Sequence, residues 1–218
     1  MAQIFHRRAN TIARASLLAM VLGIVFLGWA GDTVYWSPYT TRVNDPIDQP
    51  VPFSHHHHYE QLGIDCRYCH TSVEKSSFAG VPDTETCMTC HSQLFTTAPL
   101  LAPVRHSLAS DEPMRWNRVT KLPDFVFFNH SIHIAKGVGC ATCHGQIDKM
   151  PLTWKSETFY MKWCLDCHKQ PENFLRPRDK VFEMDWRPPP NQVQAGLQLA
   201  AANHVNTTEL KDCSRCHR

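Results

Sequence analysis

Apolar residues form one long run near the N-terminus, and elsewhere they come in short segments interrupted by proline. The run covers residues 15–31, where 17 consecutive positions carry no charge. Arg7, Arg8 and Arg14 precede this run, and Asp32 follows it. Positive charge on the N-terminal side indicates that this end stays in the cytoplasm. The pattern therefore predicts a segment that enters a membrane and leads an exported domain.

We expect a transmembrane helix at about residues 12–31, within an N-terminal anchor of residues 1–36. A cleaved signal peptide is the alternative, because Gly28-Trp29-Ala30 has the small-x-small pattern of a cleavage site. Residues 37–52 contain four prolines and predict an extended linker. Residues 53–218 then form the domain outside the cytoplasm, on the periplasmic side of a bacterial inner membrane.

One pentapeptide pattern, Cys-x-x-Cys-His, occurs five times in this domain and uses all ten cysteines of the chain. The pattern attaches c-type haem, since the two thiols bond to the porphyrin and the histidine ligates the iron. Structural zinc sites and disulfide frameworks do not need a histidine after every second cysteine. The sequence therefore predicts five covalently bound haem c groups. The cysteine pairs are Cys66 and Cys69, Cys87 and Cys90, Cys140 and Cys143, Cys164 and Cys167, and Cys213 and Cys216; the histidines after them are His70, His91, His144, His168 and His217.

Composition bears on the fold more than on the chemistry. The 218 residues leave about 44 for each haem, which is too few for five separate domains. Fifteen prolines also limit regular structure. We therefore expect a multihaem cytochrome c fold, loop-rich with short α-helices around five haems, plus one N-terminal transmembrane helix. A net charge of +2 without a basic stripe argues against nucleic-acid binding.

An internal repeat precedes the first and the third motif. The two copies align with one residue of slippage, and each is followed by a second motif 21 or 24 residues further on. Residues 53–91 and 128–168 thus form two dihaem repeats, and residues 203–218 form a half module. The shared residues are Phe53, His55 and His58 in the first copy and Phe128, His130 and His133 in the second.

The repeat histidines are candidates for the second axial ligand of each iron. Histidine in that position gives a lower reduction potential, and methionine gives a higher one. Histidines three residues apart lie on one face of a helical turn, so each repeat offers imidazoles to two neighbouring haems. Several alternatives stay open: His106 instead of His204, His56 or His57 instead of a neighbour, and Met150 or Met161 at one iron. The predicted distal ligands are His55, His58, His130, His133 and His204.

The Phe-x-His-x-x-His pair ahead of Cys-x-x-Cys-His resembles class III multihaem cytochromes of the c3 and c7 type, over residues 53–168. A more specific resemblance covers nearly the whole chain and is to the pentahaem cytochrome subunit (ActA) of bacterial alternative complex III. It rests on WNRVTKLPDFVFFNH at 116–130, GVGCATCHG at 137–145 and MKWCLDCH at 161–168.

This resemblance implies an electron carrier that has no catalytic site of its own. The chain would belong to a membrane complex that oxidises quinol, with iron–sulfur, monohaem cytochrome and multi-spanning quinol-binding subunits as partners. Electrons would leave for a periplasmic cytochrome c, a blue copper protein or an oxidase. A stand-alone membrane quinol dehydrogenase of the NapC/NirT type is the alternative. A pentahaem reductase is disfavoured, because the chain has no Cys-x-x-Cys-Lys motif.

Overall fold

The computed structural model describes residues 5–217, and its contacts divide the chain after Arg42 into two units. Within the described residues there are nine α-helices and several 3-10 turns. Extended pairing in that part of the chain is limited to four isolated bridges. The expected loop-rich fold of short helices is confirmed.

The first unit contains α1 (Ala9–Trp36) and α2 (Pro38–Thr41). The 28 residues of α1 span about 42 Å, longer than the hydrocarbon core of a bilayer. No residue of α1 is buried, so it is not the core helix of a soluble domain. By length and composition it could cross a membrane or serve as a signal sequence. The predicted linker begins with one turn of helix, because proline suits the first helical position.

The second unit carries the remaining α-helices, which are all short. Three of those that hold a motif or a repeat begin at a capped position, where the side chain of Asp65, Asp83 or Asn129 accepts a hydrogen bond from an amide in the first turn. The helices are α3 (Cys66–Cys69), α4 (Thr84–His91), α5 (Ala102–Ser110), α6 (His130–Ala135), α7 (Cys140–His144), α8 (Met161–Lys169) and α9 (Gln192–Ala202). The 3-10 turns are Pro99–Leu101, Ile147–Lys149, Pro171–Asn173, Arg178–Lys180, Glu209–Lys211 and Cys213–Arg215.

A π-helix, His56–Gln61, explains the one-residue slippage between the repeats. The amide of Ile64 donates to the carbonyl of His58, six residues back, whereas the amide of Val138 donates to that of His133, five residues back. The wider π turn absorbs the extra residue. Both copies therefore present their histidines in the same way before the chain enters the next motif.

Packing fixes α9 against the turn at Pro171–Asn173. The Gln192 side chain donates to the carbonyl oxygens of Glu172 and Leu175, both at 2.8 Å. Gly196 faces the same turn, and a Cβ there would collide with the backbone of Glu172. Leu175 precedes the next turn, Arg178–Lys180, and Val181 follows it; both residues are fully buried. This contact anchors the C-terminal part of the domain.

Candidate haem sites

We number the five candidate haem sites in the order of their Cys-x-x-Cys-His motifs. Motifs one to four lie on or within α3, α4, α7 and α8, and motif five forms the turn at Cys213–Arg215. Residues three apart on a helical turn project to the same side. Each pair of thiols therefore faces one side of its turn, which is the arrangement needed to bond twice to one planar group.

Three imidazole rings of the repeats face imidazole rings of the motifs. The ring centroids are 6.3 Å apart for His58 and His91, 6.4 Å for His130 and His144, and 6.2 Å for His133 and His168. Imidazole nitrogens bind metal ions at about 2.0 Å, so two imidazoles on opposite sides of one metal ion have centroids about 6.3 Å apart. The three pairs have the spacing that a shared iron requires.

At site one, His55 is the predicted partner of His70. His55 accepts or donates a hydrogen bond with the hydroxyl of Thr153 at 3.1 Å. Burial, together with the nearby imidazoles of His70, His58 and His144, lowers the pKa of His55 to about 4. His55 is therefore neutral at pH 7 and lies near the motif histidine of site one, as a distal ligand must.

Backbone carbonyls fix the orientation of most of these rings. A carbonyl oxygen only accepts, so the ring Nδ1 that contacts it must carry the proton, which leaves Nε2 with a free electron pair for a metal. Seven histidines of the predicted set share this feature. They are His58 with Ser54, His70 with Gly80, His91 with Leu94, His130 with Ser77, His133 with Asn129, His168 with Leu210 and His217 with Phe125, at 2.7 to 3.3 Å.

One phenylalanine holds both histidines in each repeat. The Phe128 ring stacks on His133 at 4.5 Å and meets His130 edge-on at 4.7 Å. Phe53 makes the same contacts with His58 and His55, at 4.4 Å and 5.0 Å. The interplanar angles also agree, at 27° in both stacked pairs and 90° or 87° in the edge-on pairs. The repeat is thus a conserved geometry within this chain and not only a sequence pattern.

Burial favours the uncharged form of several histidine and cysteine side chains at sites one, three and four. It lowers the pKa of His144 to about 4 and the pKa of His133 below its usual 6.5. Burial also raises the pKa of Cys66 to about 11 and that of Cys143 to about 12. Neutral imidazole is the form that ligates a metal, and a thioether carries no charge. The surroundings therefore suit covalently attached haem with two neutral axial ligands.

The other two histidines of the His55–His58 run are engaged differently. His56 contacts Glu60 through Nδ1 at 2.8 Å and Gln61 through Nε2 at 3.1 Å. His57 contacts Gln61 through Nδ1 at 2.7 Å and is exposed. Neither ring has the carbonyl contact that orients His58, and neither stacks on or meets Phe53, which contacts both His55 and His58. These contacts favour His55 and His58 as the ligands of this run.

Site five differs from the other four. In the described part of the chain, the ring contact of His217 is with Phe125, which stacks at 5.8 Å. His204 lies just after α9, exposed and with a left-handed φ of 52°, and its carbonyl accepts a hydrogen bond from Lys136. His106 on α5 is also exposed. Met150 is fully buried, whereas Met161 is 61% exposed. Within the described residues no ring contact joins His204 to His217, and His204 stays a prediction as the distal ligand of site five.

Several residues that shape the sites gave no signal in the sequence. The carbonyl acceptors at Ser77, Gly80 and Leu210 act through the backbone, which any residue type supplies. Gly80 is the exception, because its φ of 85° favours glycine and a Cβ would meet Ser72 Oγ at 2.8 Å. Thr153 lies 98 positions from His55, and only the tertiary fold brings the two together.

The paired thiols, the neutral Nε2 donors and the spacing of three imidazole pairs fit haem c, and they define a c-type cytochrome with several haem sites. Residues 126–218, which hold three of the motifs, match the family described as cytochrome c7 and related cytochrome c. The multihaem cytochrome c subunit of menaquinone reductase from Nitratidesulfovibrio vulgaris is 30% identical over 179 residues, covering 72% of this chain and 81% of that protein. The chain belongs to the multihaem cytochrome c family, whose members bind haem c covalently.

Proposed function

We propose that the chain carries electrons through five covalent haem c groups, as a subunit of a membrane complex that exchanges electrons with quinone. The observation that carries this proposal is the spacing of the three imidazole pairs, 6.2 to 6.4 Å, at motifs that supply two thiols each. Two axial imidazoles leave an iron without a free position for a substrate. Such sites transfer electrons and do not activate small molecules.

Each group of residues has a separate task in this proposal. The ten cysteines would hold the haems, and each of the five motif histidines would ligate an iron. His55, His58, His130 and His133 would each supply a second imidazole ligand at sites one to four. Backbone carbonyls hold these rings in the tautomer that ligates, and Phe53 and Phe128 limit their rotation. When bound, each haem supplies an iron that alternates between two oxidation states.

The partners are proposed from the two likenesses. Resemblance to the alternative complex III subunit supports quinol oxidation, with iron–sulfur, monohaem cytochrome and multi-spanning partner subunits and with a periplasmic acceptor. The relative from Nitratidesulfovibrio vulgaris is named for menaquinone reduction, which is the opposite direction. We favour quinol oxidation, because that resemblance extends over nearly the whole sequence. The α1 helix would anchor the subunit in the inner membrane, with the haem domain in the periplasm.

The test compares the isolated chain with the complete complex purified from membranes. Intact mass should show five haems on the isolated chain, which chemical reductants reduce but quinol does not. In the complex, quinol should reduce the same haems, and a periplasmic acceptor should reoxidise them. Four or fewer haems would contradict the proposed number.

The same assay separates the alternatives. Rapid, inhibitor-sensitive reduction of the isolated chain by quinol would favour a stand-alone dehydrogenase of the NapC/NirT type. Net transfer from pre-reduced haems of the complex to added menaquinone, without quinol oxidation, would instead favour the direction for which the relative is named.

A further inference from the structure

The two dihaem repeats hold each other through a reciprocal pair of contacts, which we call the clasp. In one half, the amide of Ser131 donates to the carbonyl of Ser76 at 3.1 Å, and the Nδ1 of neighbouring His130 donates to the carbonyl of Ser77 at 2.8 Å. In the other half, the amide of His56 donates to the carbonyl of Met150 at 3.2 Å.

The two halves of the clasp use equivalent positions. Ser76 lies six residues after His70, and Met150 lies six residues after His144, so both acceptors follow the first motif of their repeat. Ser131 and His56 each come directly after the first histidine of their own repeat. Thr153 completes the second half, because its hydroxyl contacts His55 at 3.1 Å. The first repeat thus positions His130, the first histidine of the second repeat, and the second repeat in turn positions His55, the first histidine of the first repeat.

The clasp joins site one to site three, because His55 belongs to site one and His130 to site three. Site two contacts site one instead: the Tyr68 hydroxyl lies 2.7 Å from the Thr89 hydroxyl, which connects the first two motifs. The distal imidazoles of these two sites also come from a single turn, as His55 and His58.

Sites three, four and five continue in one direction. His130 and His133 on α6 serve sites three and four, as the pairs with His144 and His168 show. His168 of site four donates from Nδ1 to the carbonyl of Leu210 at 3.0 Å, just before motif five. The turn that contains Leu210 packs against α8.

From these contacts we infer that the five sites form an unbranched path in the order two, one, three, four, five. The path is out of sequence order at its start, and sites two and five are its ends. Each step would move one electron from a reduced site to the neighbouring oxidised site, with no bond formed or broken. Exchange with partner proteins would then occur at the ends, where Cys90 and Cys213 are the exposed cysteines of the described chain. The inference rests on the proposed set of five haems.

Iron positions in the haem-loaded protein give the direct test. Anomalous diffraction at the iron edge should show five irons, with the iron of site one nearest to those of sites two and three. The order would be overturned if the iron of site two lay closer to the iron of site three than the iron of site one does. Fewer than five irons would contradict the proposed function itself, so the two failures are distinguishable.

A test in solution counts the neighbours of individual sites. His58→Ala should leave site two high-spin, and magnetic coupling to that iron should speed the relaxation of one low-spin signal in electron paramagnetic resonance. His133→Ala should mark site four and speed the relaxation of two signals. If His58→Ala affects two signals, site two lies inside the path and the inference fails. If either variant loses haem, the order of the sites is tested by the iron positions in the haem-loaded natural chain.

Discussion

The imidazole rings of His130 and His144 lie 6.4 Å apart with their planes only 7° from parallel. The rings of His58 and His91 have nearly the same spacing, but their planes meet at 63°. One pattern of ligands is therefore held in two different orientations. The two rings also have different partners: His130 donates to a carbonyl of the other repeat, whereas His58 donates to Ser54 within its own turn.

These orientations should be visible in electron paramagnetic resonance of the oxidised protein. Parallel imidazole planes separate the energies of the iron orbitals that overlap with them, whereas strongly crossed planes leave those energies close together. We expect an ordinary rhombic low-spin signal from site three and a signal with a much larger maximum g value from site two. The variant His58→Ala should remove the second signal and leave the first. A single uniform signal for all sites would contradict the angles.

His133 should be the distal ligand of site four. His133→Ala removes the imidazole that faces His168 at 6.2 Å, so one haem in five should become high-spin in its optical spectrum. His57→Ala is the matched control, because His57 is exposed, its Nδ1 contacts the Gln61 side chain, and its ring meets His58 only edge-on at 5.5 Å. The control should leave the spin state of every haem unchanged. An unchanged spectrum in His133→Ala would exclude this residue as a ligand.

Asp65 should stabilise the first motif as the N-cap of α3. Its side chain accepts a hydrogen bond from the Arg67 amide at 2.8 Å, and loss of such a cap costs about 1 kcal/mol. Asp65→Ala should lower the free energy of unfolding by about that amount. Asp65→Asn keeps a capping oxygen and loses only an exposed ion pair with Arg67, worth less than about 1 kcal/mol. Denaturant titration of the haem-loaded protein would measure both.

The Asp65 variants should also differ in their dependence on pH. Arg67 holds the pKa of the Asp65 carboxyl below its usual 3.8. A lowered pKa means that the charged form contributes stability above about pH 3.8, and that this contribution is lost as the pH falls through the folded-state pKa. The small advantage of the natural chain over Asp65→Asn should therefore disappear in acid. An advantage that grows as the pH falls would contradict the sign.

Replacing Gly196 by alanine should destabilise the domain, although alanine has the higher helix propensity. Alanine is favoured over glycine by about 1 kcal/mol in an exposed helix. At position 196, however, a Cβ would collide with the backbone of Glu172, and overpacking of this kind costs about 1 to 3 kcal/mol. Gly196→Ala should therefore destabilise the domain, whereas Gln198→Ala on the exposed side of α9 should be neutral or slightly stabilising. Thermal unfolding of the haem-loaded variants is the measurement.

The α1 helix should remain attached and keep the protein in the membrane. None of its 28 residues is buried, and Arg7, Arg8 and Arg14 lie towards its N-terminal end. Carbonate washing should therefore leave the haem domain with the membrane fraction, and protease added to the periplasm should reach it. A soluble form that begins near Gly31 would show that the segment is a cleaved signal peptide.

The sequence by itself determined the chemistry of this protein. Cys-x-x-Cys-His is a local pattern, because the two thiols and the histidine share one helical turn and need no distant contact to come together. The Phe-x-His-x-x-His repeat is local as well, and its geometry in the structure is the same in both copies. The N-terminal apolar helix follows from composition alone. None of these features depends on how the chain folds back on itself.

Only the tertiary structure decided which imidazole faces which motif and which sites are neighbours. His130 faces His144 because a carbonyl 53 positions earlier, at Ser77, orients its ring. Thr153 reaches His55 across 98 positions. The position of His204 in the sequence made it a candidate distal ligand. In the structure its backbone has a left-handed φ and the residue is exposed. Contacts between distant backbone groups leave no trace in residue types, because every residue carries the same carbonyl oxygen.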